Sequence, residues 1–164
     1  MADEGGWQSL KLPQAMNPQS IPALQNQNQK PMSDIRWEQR FHNYQKAFTQ
    51  LSRFLEKKEL NEMEEQGLIQ AFEYTFELAW KTLQDFLEQR GGYLEIKGPR
   101  PVIMKAFQDG YLDNGEKWME MLNDRNRTVH TYDEKIAHEI SSAIISDYYA
   151  LLKDLDNKLM LMLK

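Results

Sequence analysis

The feature that most limits the fold of this chain is a three- and four-residue spacing of apolar residues, which begins near Asp34 and continues almost to the C-terminus. Residues at this spacing lie on one face of an α-helix, so the pattern predicts helices that pack together through apolar faces. A first such helix carries Trp37, Phe41, Tyr44, Phe48, Leu51 and Leu55. A second, predicted over residues 62–90, carries Leu68, Phe72, Phe76, Ala79, Leu83 and Phe86.

Polar residues and glycines mark the ends of the second helix. Asn61 is followed three residues later by Glu64, which is the spacing of a capping box at a helix N-terminus. Gly91 and Gly92 follow the apolar stripe, and glycine readily adopts the left-handed conformation that ends a helix. The sequence therefore predicts a turn directly after residue 90.

Three further helices are predicted after this turn. Prolines in "GPRP" favour a short helix over about 102–109. Asp113 with Glu116 is a cap for a fourth helix, which should fade near Arg125, and Thr131–Glu134 is a capping box for the last one. The last helix should bury Ile136, Ile140, Ala143, Ile144, Leu151, Leu155 and Leu159. With short connections and no convincing strand, the predicted fold is an all-α, antiparallel up-and-down bundle of four to five helices.

Residues 1–33 differ from the rest of the chain in composition. They contain four of the six prolines, many Gln and Asn residues, and no sustained apolar period. We expect this segment to be disordered and to be a leader or an artificial extension, with native translation starting at Met32. The predicted globular domain covers residues 34–164.

Composition narrows the class of function. The chain has no cysteine, which excludes disulfides and thiol chemistry and favours a cytoplasmic location. No apolar run approaches the roughly 20 residues that cross a membrane, so no membrane association is predicted. The formal net charge of -5 argues against a broad basic surface for nucleic acid, so any RNA contact must be local.

Some apolar residues fall outside the main stripes of the second and last helices. A small bundle would leave such residues exposed, and an exposed apolar face is often covered by a second copy of the chain. The sequence therefore predicts a homodimer through a face that contains Trp80, Leu87, Ile145, Tyr149 and Leu152.

The stretch "DRNRTVHTYDE", residues 124–134, is the strongest candidate for chemistry. It is predicted to lie before a helix N-terminus, where unpaired N–H groups and a guanidinium from Arg125 could hold a phosphate. An imidazole such as that of His130 can take a proton from a ribose 2'-hydroxyl while the guanidinium stabilises charge on the phosphate. Metal-independent RNA cleavage is one hypothesis, and a polar connection between two helices is the other.

Other candidate residues favour structural roles. Arg36 and His42 repeat the Arg-to-His spacing, but inside the first helix, and Glu73 with Glu77 is typical of a solvated helix face. His138 lacks the neighbouring ligands of a metal site, so no metal and no cofactor are predicted. The aromatic residues Tyr74, Trp80 and Trp118 could stack a base, yet aromatic residues at helical spacing usually belong to the core.

Three stretches, "AFEYTFELAWKTLQDFL", "GPRPVIMKAFQDGYL" and "WMEMLNDRNRTVHTYDE", resemble the nucleotidyltransferase substrate-binding protein family, a HepT-like branch of the HEPN superfamily. The resemblance covers about residues 35–162. It implies a dimerising helical bundle that forms a complex with a minimal, MntA-like nucleotidyltransferase. One departure is Gly98, where such proteins often have Ser before Pro-Arg, and this weakens any inference about Arg100.

The resemblance also implies roles for individual residues. Arg125, Asn126 and His130 match the Arg, polar residue and His of HEPN ribonucleases, in which two copies usually face each other across the dimer. Tyr132 matches the tyrosine to which the nucleotidyltransferase attaches AMP, which silences the toxin. A bulky anionic group two residues from the base would block the cleft and repel an incoming phosphate.

Three functional interpretations follow. In the first, the chain is the RNase toxin of a toxin–antitoxin module. In the second, it is a noncatalytic substrate-binding subunit of a two-component nucleotidyltransferase, and the same residues bind an anion or are modified. In the third, it is a structural scaffold in which Arg125 pairs with Asp124 or Asp133 and His130 caps a helix.

Overall fold

The computed structural model of the chain describes residues 32–163 and is helical almost throughout. Its α-helices are α1 (Met32–Leu55), α2 (Glu62–Gly91), α3 (Pro99–Gln108), α4 (Gly115–Arg127), α5 (Glu134–Ala143) and α6 (Tyr149–Met162). A 3₁₀ turn, Thr128–His130, extends α4, and a π-helical segment, Ile144–Tyr148, joins α5 to α6 without a break. Within the described residues no strand occurs, so the predicted all-α bundle is confirmed.

The ends of α2 are formed by the residues that the sequence indicated. The side chain of Asn61 accepts a hydrogen bond from the backbone N–H of Glu64 at 2.8 Å, and the Glu64 carboxylate accepts one from the backbone N–H of Asn61 at 3.0 Å. At the other end Gly92 has φ 69°, in the left-handed region where glycine carries no steric penalty. The capping box and the glycine stop are both confirmed.

Residues of every helix from α1 to α6 contribute to the core, which is rich in aromatic residues. Trp37 packs edge-on against Phe86 with ring centroids 5.1 Å apart, and Phe72 stacks on Tyr148 at 5.7 Å. The predicted stripes of α1 and α2 are buried, with Tyr44 and Phe76 fully enclosed, except that Phe48 and Leu55 of α1 are partly buried. Full burial of one such side chain contributes about 1.5–3 kcal/mol, so these contacts hold α1 and α2 together.

The sequence predicted an exposed apolar face for dimerisation, and this prediction is wrong for most of the residues assigned to that face. Leu87 and Leu152 are buried inside the single chain, and Tyr149 stacks on Phe48 with centroids 5.2 Å apart. Trp80 is half-buried, and Ile145 is exposed. The π-helical segment adds one residue to a turn, which rotates Leu152 toward the core in place of Leu151. Dimerisation remains a prediction, and these covered residues no longer support it.

Several helix starts also differ from the sequence-based prediction. The first turn of α3 begins at Pro99, because proline suits an initial position whose N–H needs no partner. The cap of α4 is Asn114 rather than Asp113, and the cap of α5 is Asp133 rather than Thr131. The fourth helix continues past Arg125, through Arg127 and then as the 3₁₀ turn.

The N-terminal prediction lies mostly outside the described residues. Residues 1–31 are not described, and α1 begins at Met32, two residues before the predicted domain. A membrane-spanning helix does not occur among the residues that the structure describes.

Candidate functional site

The stretch from residue 124 to 134 forms the junction between α4 and α5, and local hydrogen bonds fix its backbone. The Thr128 hydroxyl donates to the carbonyl of Arg125 at 2.7 Å, and the Thr131 hydroxyl donates to the carbonyl of Thr128 at 3.0 Å. The backbone N–H of Asp133 donates to the carbonyl of His130 at 3.0 Å. These bonds satisfy carbonyls at a helix end and hold the 3₁₀ turn in one conformation.

His130 and Tyr132 are brought together on the surface of this junction. The Tyr132 hydroxyl lies 3.4 Å from Nδ1 of His130, and the two rings meet at 79° with centroids 6.0 Å apart. His130 is exposed, and Tyr132 is 84% exposed. An imidazole and a phenol hydroxyl are therefore both accessible to a large substrate, and each is within reach of the other.

Arg125 contacts α2 rather than this pair. Its Nη2 lies 3.4 Å from Oε1 of Glu77, and its side chain is 25% exposed. The Nε atom of Arg125 is buried and has no hydrogen-bond acceptor among the described residues. Glu77, which the sequence indicated as a solvated acid, is thus the residue that orients the guanidinium.

The contacts with α2 show that Arg125 and His130 are not joined within one chain. The Thr131 carbonyl, next to His130, accepts a hydrogen bond from Gln66 at 2.9 Å, whereas Arg125 meets Glu77. Residues 66 and 77 are separated by about 16 Å along an α-helix. Within the described part of the chain, no hydrogen bond or ion pair links Arg125 or Asn126 to His130, and Asn126 is exposed.

The anion position expected at the start of α5 is occupied by a side chain of the protein itself. The Asp133 carboxylate accepts hydrogen bonds from the backbone N–H groups of Lys135 at 2.9 Å and Ile136 at 3.4 Å. A carboxylate at an N-cap satisfies the donors that would otherwise bind a phosphate. The prediction that this helix N-terminus holds a phosphate is therefore wrong.

A second group of polar residues, which the sequence-based reasoning missed, holds the junction against the last helix. Arg127 donates to Asp124 at 3.0 Å and to Glu139 at 2.7 Å, and the Tyr148 hydroxyl donates a short hydrogen bond to Asp124. Burial, followed by the hydrogen bond to Asp124, raises the pKa of Tyr148. The three-residue spacing of Asp124 and Arg127 is a visible signal for one of these bonds.

This group also corrects the scaffold interpretation. That interpretation paired Arg125 with Asp124 or Asp133, but Asp124 contacts Arg127 and Tyr148, and Asp133 caps α5. The long-range contacts could not be deduced from spacing, because they depend on how α2 and the last helix pack.

The remaining candidates lie elsewhere. Nδ1 of His138 is 3.6 Å from Glu65, and the residues that the structure describes include no group of three or more ligands suited to a metal ion. Trp118 is buried in the core, and the Tyr74 hydroxyl donates to Gln50 at 2.7 Å. Arg36 lies 3.9 Å from Glu88 on the surface.

The chain is similar to several known proteins. Residues 39–160 match the model of a family described as nucleotidyltransferase substrate binding protein like. A Haemophilus influenzae protein named probable ribonuclease HepT is 31% identical in an alignment over 85 residues that covers 48% of this chain. The match covers 56% of that relative, so the chain spans little more than half of its length.

Two solved structures share the fold. A crystal structure of a protein from Thermus thermophilus is 35% identical, with a TM-score of 0.66, over 71% of this chain and 98% of that one. The structure of HI0074 from Haemophilus influenzae, described as the fold of a substrate binding domain of a nucleotidyltransferase, is 22% identical. Its TM-score is 0.57, over 78% of this chain and 98% of that one, and this likeness concerns the fold alone.

Proposed function

Because this chain belongs to the nucleotidyltransferase substrate-binding protein family, we propose that it is a HepT-like toxin. In this proposal it is a metal-independent endoribonuclease that uses Arg125, Asn126 and His130. A minimal, MntA-like nucleotidyltransferase binds it and silences it by AMPylation of Tyr132. The name of the HepT relative supports a ribonuclease, and the family description supports a nucleotidyltransferase partner.

The observation that carries the proposal is the exposed contact between His130 and Tyr132, 3.4 Å apart. In RNA cleavage the His130 imidazole takes the proton of a ribose 2'-hydroxyl, whose oxygen forms a bond to the adjacent phosphorus. The bond from phosphorus to the 5'-oxygen breaks, that oxygen takes a proton from water, and the imidazolium of His130 returns its proton to the solvent. A guanidinium stabilises the charge on the phosphate during this exchange.

Modification of Tyr132 would act directly on this base. The Tyr132 oxygen attacks the α-phosphorus of ATP, its proton leaves, and pyrophosphate departs. AMP then replaces the hydrogen of a hydroxyl that contacts Nδ1 of His130. The added negative charge and bulk exclude an RNA phosphate from the imidazole.

The separation of Arg125 from His130 is consistent with a site shared between two copies of the chain. Each copy would supply Arg125 to one reaction centre and His130 to the other. The resemblance to HEPN ribonucleases, in which two copies face each other, supports this arrangement. Neither copy alone would then contain a complete site.

The first test of the proposal is cleavage of single-stranded RNA by the purified chain in the presence of EDTA. We expect cleavage by the wild-type protein and a loss of at least about 100-fold in His130→Ala, because general acid–base catalysis contributes roughly that much. His138→Ala is the matched control, since His138 is also exposed and lies near the start of α5. Full cleavage by His130→Ala would reject the proposed role of His130, and no cleavage by the wild-type protein would reject the ribonuclease.

One observation favours the second candidate function, a noncatalytic substrate-binding subunit. Arg125 pairs with Glu77, and within the described residues no hydrogen bond links it to His130, so in one copy it is placed to bind an anion rather than to act together with the imidazole. In this case the chain cuts no RNA, while nucleotidyl transfer by the partner enzyme requires it. Transfer by the partner to an added substrate, with and without this chain, distinguishes the two functions.

A further inference from the structure

On the premise of the ribonuclease proposed above, we propose that Lys81 is a second phosphate-binding residue beside Arg125. Glu77 lies between the two cations and positions both of them. The ligand would be two adjacent phosphates of one RNA strand, with Arg125 at the phosphate that reacts and Lys81 at its neighbour.

The geometry of three side chains carries this inference. Oε1 of Glu77 is 3.4 Å from Nη2 of Arg125, and Oε2 of Glu77 is 3.7 Å from Nζ of Lys81. The two cations come from different helices, α4 and α2, and each meets a different oxygen of one carboxylate. One negative charge thus holds two positive charges, and the group keeps a surplus positive charge.

All three side chains can be reached by solvent. Their exposed fractions are 25% for Arg125, 34% for Glu77 and 42% for Lys81. The Nε of Arg125 is buried and has no hydrogen-bond acceptor among the described residues, and Nη2 is the donor that meets Glu77. A guanidinium binds phosphate as a planar fork, and an ammonium binds it as a point charge, so the two are suited to neighbouring positions.

The charge of the whole chain makes such a local group necessary. With a formal net charge of -5, the protein does not attract RNA over a broad surface. Binding must then depend on a few cations that lie close together. Lys81 is one turn from Glu77 on α2, so it shares one carboxylate with the guanidinium of Arg125, which belongs to a helix that is distant in sequence.

The binding experiment uses a single-stranded RNA oligonucleotide and fluorescence anisotropy, in a His130→Ala background that prevents cleavage. We expect Lys81→Met to weaken binding and to reduce the slope of log Kd against log salt by about 0.7, because one phosphate contact to a single strand is lost. Lys153→Met is the matched control, since Lys153 is an exposed lysine on α6. Equal slopes for the two variants would overturn the role of Lys81.

The role of Glu77 is tested by a split between binding and catalysis, with His130 intact. Glu77→Gln removes a negative charge, so we expect RNA affinity to be equal or tighter. We also expect kcat to fall about tenfold or more, because Arg125 loses the group that orients it. Glu73→Gln, one turn earlier on α2, removes the same charge without touching Arg125 and should leave kcat unchanged. A kcat that is equal in these two variants would overturn the role of Glu77.

The experiments distinguish failure of the proposed ribonuclease function from failure of the phosphate-binding pair, Arg125 and Lys81. A wild-type protein that neither cuts nor binds RNA rejects the ribonuclease and the phosphate-binding pair together. A wild-type protein that cuts RNA, with Lys81→Met indistinguishable from Lys153→Met, rejects only the pair. Circular dichroism and thermal unfolding of every variant confirm that the helical fold is retained.

Discussion

At the scale of single residues, the contact between Tyr132 and His130 is weak, and its importance lies in the exposed position of the Tyr132 hydroxyl beside the imidazole. A separation of 3.4 Å is longer than an ordinary hydrogen bond, and Tyr132 is 84% exposed, so the contact adds little to folding stability. Its hydroxyl is nevertheless both open to an attacking enzyme and adjacent to the imidazole. Because of these two properties, a group added to the Tyr132 hydroxyl would lie beside the imidazole of His130.

We therefore expect Tyr132→Phe to keep its RNase activity within about threefold, since a weak exposed hydrogen bond is all that it loses. The variant should also escape silencing by the nucleotidyltransferase. Co-expression, followed by mass spectrometry and a growth assay, measures both effects. Tyr74→Phe is the control, because Tyr74 is also exposed but contacts Gln50. An adenylyl group found at another residue of Tyr132→Phe would contradict this prediction.

Tyr148 is a tyrosine of the opposite kind, because it is buried and bonds to a carboxylate. Hydrogen bonds to charged groups contribute about 1.5–3 kcal/mol, so Tyr148→Phe should lower the free energy of unfolding by an amount in this range. Tyr149→Phe is the control, because its hydroxyl contacts the neutral Ser52, at 3.1 Å, rather than a carboxylate. Urea denaturation at neutral pH measures both losses, and equal losses would count against a special role for Asp124.

Burial of Tyr148 and its hydrogen bond to Asp124 together predict a pH dependence at alkaline pH. The pKa of Tyr148 is raised above its ordinary value of 10.0, so the folded state holds the proton more tightly than the unfolded state. The stabilisation is complete below pH 10 and is lost as the pH rises above that value. Urea denaturation between pH 9 and pH 11 should show a smaller decline for Tyr148→Phe than for the wild-type protein.

At the scale of secondary-structure elements, the junction between α4 and α5 depends on the Asp133 cap. Removal of a carboxylate N-cap costs about 0.5–2 kcal/mol, so Asp133→Ala should destabilise the protein by that amount. Asp113→Ala should cost less, because Asp113 caps no helix and pairs with Lys158 at 75% exposure. Urea unfolding compares the two variants, and a larger loss for Asp113→Ala would contradict this assignment of the cap.

The π-helical segment is where the sequence-based prediction of the buried helix face fails. The stripes of α1 and α2 were predictable because regular helices repeat every 3.6 residues. In the last helix, the buried residues Ile140, Ile144, Tyr148 and Leu152 are spaced four apart, which a regular α-helix does not sustain. A run of four-residue spacings indicates an extra residue in one helical turn. A regular helix, which has no such extra residue, would place Leu151 rather than Leu152 in the core.

At the scale of the whole molecule, the candidate site was only partly predictable. The Arg-to-His spacing and the resemblance identified Arg125, His130 and Tyr132, and local geometry brings the last two together. The partnership of Arg125 with Glu77 joins residues 48 positions apart in sequence, and it depends on the packing of α4 against α2. No periodicity in the sequence reports on such a contact.

A site shared between two copies predicts complementation between inactive variants. Arg125→Ala and His130→Ala should each be inactive, yet a mixture that exchanges subunits should regain cleavage. Each mixed dimer would contain one intact site and one doubly defective site. RNA cleavage before and after subunit exchange measures this effect, and two His130→Ala preparations mixed together are the control. If the mixture stays inactive while mixed dimers form, the two residues do not act across copies.

The π-helical segment has a further consequence for the variation that this bundle tolerates. Each residue added to a helix turns everything after it by about 100° around the axis. Loss of one residue between Ile144 and Tyr148 would convert the segment to a regular helix, and α6 would then present a different side to α1. Insertions and deletions should therefore be far rarer in this segment than in the exposed turn before α3, and an alignment gap inside it would indicate a relative with a differently packed last helix.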